Sequence, residues 1–271
     1  MNRNMAVTIR TAISTVALVL GVSAGTLRGQ TNLVANGSFE AGPVGQGQFT
    51  GWGSIGPADN NSNYGVARSS ASPDVAEHGS YYAYFRGHPT DSSQDCLGTT
   101  VNLKVGGLYN ISYYLGTDGS TLGKGAAMWV VIGDSFGIDL AQDVMLNAFL
   151  PNSSNALPYQ KFSNVYLATN ASPILSFHGI NSTNGINAVS AILLDNVSVV
   201  LTYPRLSLSF SPNSLVFTWP FTNSPYRLQS VASLTGTSWE SLTNVPMNVG
   251  NNSQVVLPVS AKMQFFRLTL P

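Results

Sequence analysis

The sequence of 271 residues has little charge. Asp, Glu, Lys and Arg make up 9% of it, against about 25% in an average soluble protein. The twelve basic and twelve acidic residues cancel, and no Lys/Arg patch is present that could release counterions from a phosphate backbone. Nucleic acid is therefore not an expected partner. Gly, Ser, Thr and Asn replace the charges, which is typical of a β-rich protein with many turns.

Cysteine is equally scarce. Cys96 is the only one, so no disulfide can form within the chain. It lies in an alternating segment that predicts a strand, and no convincing base or cation in the sequence would activate its thiol. We expect a buried, unreactive side chain.

Long hydrophobic runs are also missing. An apolar stretch at residues 12–22 is shorter than the roughly 20 residues that a membrane-spanning helix needs. Arg3 and Arg10 precede it, and small residues at Ser23 and Ala24 follow it, which is the layout of a secretory signal peptide. We predict that residues 1–24 are removed and that the mature protein is secreted or held at the cell surface, with no membrane span. An uncleaved membrane anchor is the alternative.

Short apolar and aromatic segments, separated by Gly, Asn and Asp turns, make up most of the remaining sequence. Examples are found at residues 81–85, 108–115, 127–132 and 174–177. Segments of this length and spacing predict an all-β sandwich or barrel.

A domain boundary is predicted at Tyr203 and Pro204. Proline offers no N–H to a continuing ladder and biases the preceding residue toward an extended conformation, so one sheet should not run through this point. A new alternating pattern begins at Leu206. We therefore predict domains at residues 25–202 and 203–271.

Two segments that enclose the first domain carry a family resemblance. They are N-L-V-A-N-G-S-F-E-A-G at residues 32–42, followed by Gly51-Trp52, and I-L-L-D-N-V-S-V-V at residues 192–200. They resemble the first and last strands of a galactose-binding-like jelly roll, the fold of many bacterial carbohydrate-binding modules. The resemblance implies a jelly-roll β-sandwich in this domain.

The second domain has its own resemblance. It carries L-V-F-T-W-P at residues 215–220, Y-R-L-Q-S at 226–230 and F-F-R-L at 265–268. These segments are similar to an Ig- or fibronectin-like accessory domain of secreted bacterial proteins. The whole chain is then all-β, with a jelly-roll β-sandwich followed by a small Ig-like β-sandwich. Trp219, Tyr226 and Trp239 are expected in the core of the second.

Glu40 and Asp195 are the two carboxylates that the resemblance singles out. In related modules a structural calcium ion joins the first segment to the acidic residue of the last strand. Ca²⁺ takes six to eight oxygen ligands, so two acids from distant parts of the chain suit it. We expect both residues to be calcium ligands. The alternative is that Asp195 only organises a strand end by accepting backbone N–H groups.

The resemblance also implies non-catalytic binding of an extracellular polysaccharide or other glycan. Pyranose rings stack on Trp and Tyr rings, while polar groups bond the sugar hydroxyls. The candidates for ligand binding are Tyr64, Tyr82, Tyr84 and Trp129. Strand alternation leaves open which of them face outward.

Two other functions stay open: a structural or adhesive surface protein without a glycan site, and an unrecognised hydrolase. The G-D-S-F-G at residues 133–137 resembles the nucleophile motif of one hydrolase family. That family places an Asp three residues before its catalytic His, whereas Leu175 stands three residues before His178. No glutamate has a recognisable glycosidase context. We expect that the protein is not an enzyme.

Overall fold

The computed structural model describes residues 31–44, 49–55, 64–69, 76–85, 95–118, 127–134, 144–149, 156–180, 191–220, 224–235, 238–260 and 264–271. These residues form strands, turns and bends, with no helix among them. The predicted all-β fold class is therefore confirmed. The predicted signal peptide, residues 1–24, lies outside the described residues.

The chain divides into two compact units. The first unit spans Arg28–Tyr203, and the second contains Pro204–Pro271. Each has its own cluster of buried apolar side chains. Independent folding of the two units stays a prediction.

The first unit is a sandwich of two antiparallel five-stranded sheets. Sheet I has the strand order β1-β4-β9-β6-β7, and sheet II has the order β2-β3-β10-β5-β8. The strands are β1 (Gly53–Ile55), β2 (Tyr64–Arg68), β3 (Tyr81–Phe85), β4 (Asp95–Thr100), β5 (Leu108–Thr117), β6 (Ala127–Gly133), β7 (Val144–Phe149), β8 (Leu157–Leu167), β9 (Ile174–Ile180) and β10 (Ile192–Thr202).

The core of the first unit lies between the two sheets. Alternate residues of β5 and β9 point into it, as a half-buried strand requires. Tyr113 of β5 meets Phe177 of β9 edge to face, with ring centroids 5.3 Å apart, and both side chains are buried. Burying a large apolar side chain contributes about 1.5–3 kcal/mol, so this core dominates the stability of the unit.

The opening segment docks on the last strand. The Asn32 side chain donates to the Val197 carbonyl and accepts from the Val199 amide, both at 2.9 Å. Gly37 lies so close to β10 that an added Cβ would overlap the Val197 carbonyl oxygen. The two segments that carry the family resemblance therefore meet in space.

The opening segment differs from the prediction in one respect. It forms turns rather than the expected first strand. Asn36 and Phe39 have φ angles of 53° and 59°, in the left-handed region, which interrupts an extended backbone. The first strand in the described residues is β1.

The second unit is a smaller sandwich of two antiparallel sheets. Sheet III has the order β11-β12-β16-β15, and sheet IV has the order β14-β13-β17. The strands are β11 (Ser207–Ser211), β12 (Ser214–Pro220), β13 (Arg227–Val231), β14 (Glu240–Ser241), β15 (Met247–Val249), β16 (Asn252–Pro258) and β17 (Phe265–Thr269).

The core of the second unit joins its two sheets. Phe217 of sheet III packs on Phe266 of sheet IV, with ring centroids 4.5 Å apart. Trp219 and Tyr226 are 1% and 0% exposed, as predicted for core residues. Trp239 is only half-buried, contrary to the prediction, because it lies on the outer side of sheet IV. The Ig-like assignment of this unit stays a prediction.

Candidate functional site

The outer face of sheet II carries four tyrosines. Residues that pair across antiparallel strands point to the same side of a sheet. Leu194 of β10 and its partner Leu115 of β5 point into the core, so the neighbouring pair, Asp195 and Tyr114, points outward. We call this outer surface the tyrosine face; it contains Tyr82, Tyr84, Tyr114, Tyr159 and Asp195.

A small apolar cluster holds the tyrosine face together. Tyr82 and Leu193 are its buried side chains, together with Ala191, and Tyr84 and Tyr159 pack against them. This cluster is separate from the main core. It leaves the rings of Tyr84 and Tyr159 half-buried, with part of each surface open.

Tyr114 continues the face toward the edge strand β8. Its pairing partner there is Lys161, whose Nζ lies 5.6 Å from the centroid of the Tyr114 ring. Such a contact contributes about 0.5–1 kcal/mol at an exposed site. The lysine brings a positive charge to a face that otherwise carries an acid.

Asp195 lies at the centre of the face and is 0% exposed. Its Oδ2 accepts from the His78 amide at 2.9 Å, and its Oδ1 accepts from the Asn196 amide at 2.6 Å. Burial raises the pKa of Asp195 to about 7; hydrogen bonds from backbone amides of residues 77, 78 and 196 oppose that shift, and the nearby Glu77 charge adds to it.

A β-bulge sets the position of this carboxylate. The register of β10 against β5 shifts between Asp195 and Ser198, and Asn196 has a φ of 50°. Asn tolerates this left-handed conformation better than most residues. The Asn196 side chain then donates to Glu77 Oε2 at 3.1 Å, which ties the bulge to the turn at residues 77–80.

Glu40 holds the same turn from its other end. Its Oε1 accepts from the amides of Ser80 and Tyr81, both at 2.8 Å. Gly79 has a φ of +77°, and an added Cβ would overlap the Glu40 carboxylate. The two predicted calcium ligands therefore converge on one turn, although they come from opposite ends of the unit's sequence.

The contacts of Glu40 and Asp195 test whether calcium fits. Both carboxylates already accept backbone N–H groups, and together they supply at most four of the six to eight oxygens that Ca²⁺ requires. Among the described residues no three His, Cys, Asp or Glu side chains lie together as a metal site. These side chains therefore do not by themselves make a calcium site. The observed contacts match the alternative role of organising a strand end, and calcium binding stays a prediction.

Tyr159 adds an unusual polar group to the face. Its hydroxyl is buried and has no hydrogen-bond partner within the part of the chain that the structure describes. Burial raises the pKa of Tyr159, and the nearby acids Asp195, Glu77 and Asp118 raise it further. A buried donor without a partner costs free energy, about 1–3 kcal/mol, which a ligand would recover only if it uncovered the hydroxyl and offered an acceptor.

The structure separates the four predicted ligand-binding residues. Tyr82 and Tyr84 lie on the tyrosine face. Tyr64 is 5% exposed and packs in the main core. Trp129 lies on β6 of sheet I, where it pairs with His178 and is half-buried. A glycan contact by any of the four stays a prediction.

Sequence reasoning missed Tyr114 and Tyr159. Tyr113 and Tyr114 are adjacent on one strand, so one of the two rings had to point away from the core. That signal was present in the sequence, but it did not say which ring. Tyr159 has no such signal, because it lies within an irregularity of the β5–β8 register.

The histidine that the hydrolase alternative would need is buried. His178 is 2% exposed, and its Nε2 lies 2.8 Å from Ser176 Oγ and 3.6 Å from Cys96 Sγ. Asp134 of the G-D-S motif accepts a hydrogen bond from the Asn170 side chain, and Ser135 lies outside the described residues. Cys96 is buried, as predicted.

The described residues contain no helix of the length and hydropathy that crossing a membrane requires.

Comparison with known proteins finds similar structures only. No protein-family model matches the chain, and no curated protein sequence does. A structure of TmCBM61 in complex with beta-1,4-galactotriose is 16% identical, with a TM-score of 0.40 over 64% of this chain and 99% of that one.

Two further similar structures are of other kinds. The K3 cleaved adhesin domain of Lys-gingipain from Porphyromonas gingivalis is 14% identical, with a TM-score of 0.42 over 63% of this chain and 98% of that one. An arabinose-bound MgGH51 α-L-arabinofuranosidase is 15% identical, with a TM-score of 0.44 over 64% of this chain and 26% of that one. The similar structures thus include a carbohydrate-binding module, an adhesin domain and an enzyme.

Proposed function

We propose that the protein is a secreted, non-catalytic carbohydrate-binding protein and that the tyrosine face is its glycan site. One observation carries the proposal. Three half-buried rings, Tyr84, Tyr114 and Tyr159, come from three different strands and share the face of sheet II that points away from the core.

Aromatic rings of this kind suit the apolar faces of sugars. A pyranose ring presents C–H groups on its faces and hydroxyls around its rim, so it stacks on Tyr and needs polar partners beside it. The tyrosine face offers both. The Lys161 ammonium is an exposed donor. The Tyr159 hydroxyl is a buried donor that a ligand would have to uncover, and Asp195 lies beneath the face with both oxygens already hydrogen-bonded.

The proposal that the protein is exported rests on its sequence. The predicted signal peptide at residues 1–24 would deliver the chain outside the cell, where polysaccharides are available as ligands.

The first experiment measures glycan affinity after loss of a ring. Purified full-length protein is screened on a glycan array, and the dissociation constant of the best glycan is then measured by calorimetry. We expect Tyr114→Ala to weaken binding roughly tenfold, equivalent to about 1.4 kcal/mol. Tyr203→Ala removes an exposed tyrosine outside this face and is the matched control.

The second experiment isolates the polar role of Tyr159. Tyr159→Phe keeps the ring and removes a buried hydroxyl that has no partner among the described residues, so the unfolding midpoint should hold or rise. Glycan affinity should nevertheless fall. A variant that binds as well as the original protein would remove Tyr159 from the site.

Other outcomes would replace the proposal. Absence of binding across a broad array would favour a structural or adhesive surface protein. Turnover of a glycan or an ester would favour a hydrolase.

A further inference from the structure

The outer face of sheet IV in the second unit carries two arginines. Gln229 pairs with Arg267 and Arg227 pairs with Thr269, so both guanidinium groups belong to the same side of the sheet. The core side is occupied instead by Leu228 and its neighbours. Both arginines are exposed. We call this surface the arginine face.

Arg267 is held in place on this face. Its Nε donates to Gln229 Oε1 at 2.8 Å, and its guanidinium carbon lies 4.3 Å from the ring centroid of Trp239. The Gln229 amide in turn donates to Ser241 Oγ at 3.1 Å. Among the described residues the two terminal nitrogens of Arg267 have no hydrogen-bond partner. The contacts that hold Arg267 also reduce the entropy that binding would cost.

Arg227 is also held in place. Its Nη1 donates to the carbonyls of Ser224 and Tyr226, at 3.5 and 3.3 Å. No carboxylate contacts Arg227 or Arg267 within the described ranges. In a chain with so few charges, two fixed arginines without an acid on one face are a distinct feature.

The charge of the second unit agrees with that feature. Residues 204–271 contain four basic residues and one acid, a net charge of +3, whereas residues 28–203 contain six basic and eleven acidic residues, a net of −5. The one acid, Glu240, pairs with Ser230 and so belongs to the other side of sheet IV. Diagonal neighbours on adjacent strands lie about 7–8 Å apart, so the two arginines are near neighbours on this face.

We propose that the arginine face binds an anionic polysaccharide, a sugar chain that carries carboxylate or sulfate groups. A guanidinium group bonds such groups through two parallel N–H donors. Trp239, Gln229 and Ser241 border the arginines and provide an aromatic edge, an amide and a hydroxyl for the rest of the sugar. Two arginines are too few to follow a nucleic acid backbone, where affinity depends on many phosphate contacts.

Affinity electrophoresis of the full-length protein tests this site. Gels contain polygalacturonate, dextran sulfate or neutral dextran. We expect retardation by at least one of the two anionic polymers and none by dextran. The double variant Arg227→Gln/Arg267→Gln should lose roughly tenfold or more in affinity, since hydrogen bonds between charged groups are the strong ones. Arg205→Gln removes an exposed charge of the same unit elsewhere and should bind normally.

Several outcomes would overturn the proposal. The first is no retardation by either anionic polymer. The second is a loss of affinity in the Arg205→Gln variant as large as in the double variant. The third is binding of a DNA oligonucleotide as tight as that of the anionic polymer. Association of two copies, seen as a larger mass in low salt that the double variant abolishes, would assign the face to a protein partner. Thermal unfolding of each variant shows that the fold is intact. The double variant should bind the array glycan normally, so this site and the tyrosine face can fail separately.

Discussion

The two faces of sheet II are equally buried at their centres but differ in chemistry. On the inner face Leu194 is 0% exposed and packs among apolar side chains; on the outer face the next residue, Asp195, is also 0% exposed. Burying a carboxylate is unfavourable unless it is hydrogen-bonded, and the bulge and the turn at residues 77–80 supply the amides. Burial on the inner face thus reflects apolar packing, whereas the buried Asp195 of the outer face depends on hydrogen bonds from the bulge and the turn.

The same contrast applies to the aromatic residues. Tyr113 stacks on Phe162 in the core, with ring centroids 5.7 Å apart, whereas Tyr114 is half-buried beside Lys161. A ring on the inner face contributes mainly packing. A ring on the outer face can contribute to a ligand instead, because part of it remains open.

The largest expected effect is on the free energy of unfolding, which should fall much more for a substitution on the inner face of sheet II than for one on the outer face. Leu194→Ala leaves a cavity in the core and should lower the free energy of unfolding by about 2–5 kcal/mol. Tyr114→Ala on the outer face should lower it by about 1 kcal/mol or less. Urea unfolding of both variants measures the difference. Equal losses would show that the outer face is a second core.

The next effect is the stabilisation of the folded state by calcium. If Glu40 and Asp195 bind the ion, the folded state alone has the site, and a hundredfold excess over the dissociation constant should stabilise it by about 2.7 kcal/mol. Thermal melting with calcium and with a chelator measures this gain, and Asp195→Ala should abolish it. Identical melting curves in calcium and chelator would show that the carboxylates hold the turn without an ion.

The pH dependence of stability probes the buried acid directly. Since the folded-state pKa of Asp195 is raised from 3.8 to about 7, the folded protein binds a proton there that the unfolded chain has already lost. The contribution of Asp195 to the free energy of unfolding therefore falls as pH rises from about 4 to 7, by up to about 1.4 kcal/mol per pH unit.

Asp195→Asn isolates this contribution. Urea unfolding in chelator, at pH 5 and at pH 7, compares the variant with the original protein. The variant removes the titration, so its stability relative to the original protein should improve at the higher pH. A difference that does not change with pH would contradict a protonated Asp195.

The smallest effect concerns the boundary between the units. A fragment ending at Thr202 should unfold cooperatively and keep the glycan affinity of the full-length protein, because both faces of sheet II come from the first unit. The second unit alone should fold and should not bind the array glycan that the tyrosine face recognises. A molten or aggregated first fragment would show that residues beyond Pro204 complete its sheets.

The sequence by itself determined the all-β fold class. Strand-length segments between Gly and Asn turns predicted the all-β architecture, since alternation and turn chemistry are local properties. Pro204 predicted the division between the units because its missing N–H is also a local property. The meeting of residues 32–42 with β10 followed from the family resemblance.

Tertiary structure alone decided which side chains share a face. Tyr64 and Tyr82 looked equivalent in the sequence, but strand pairing places the first in the main core and the second on the tyrosine face. The bulge at Asp195 and the irregularity in the β5–β8 register change which residues point outward, and each depends on the partner strand. The environment of Asp195 likewise comes from a turn more than a hundred residues away, a contact that no local pattern contains.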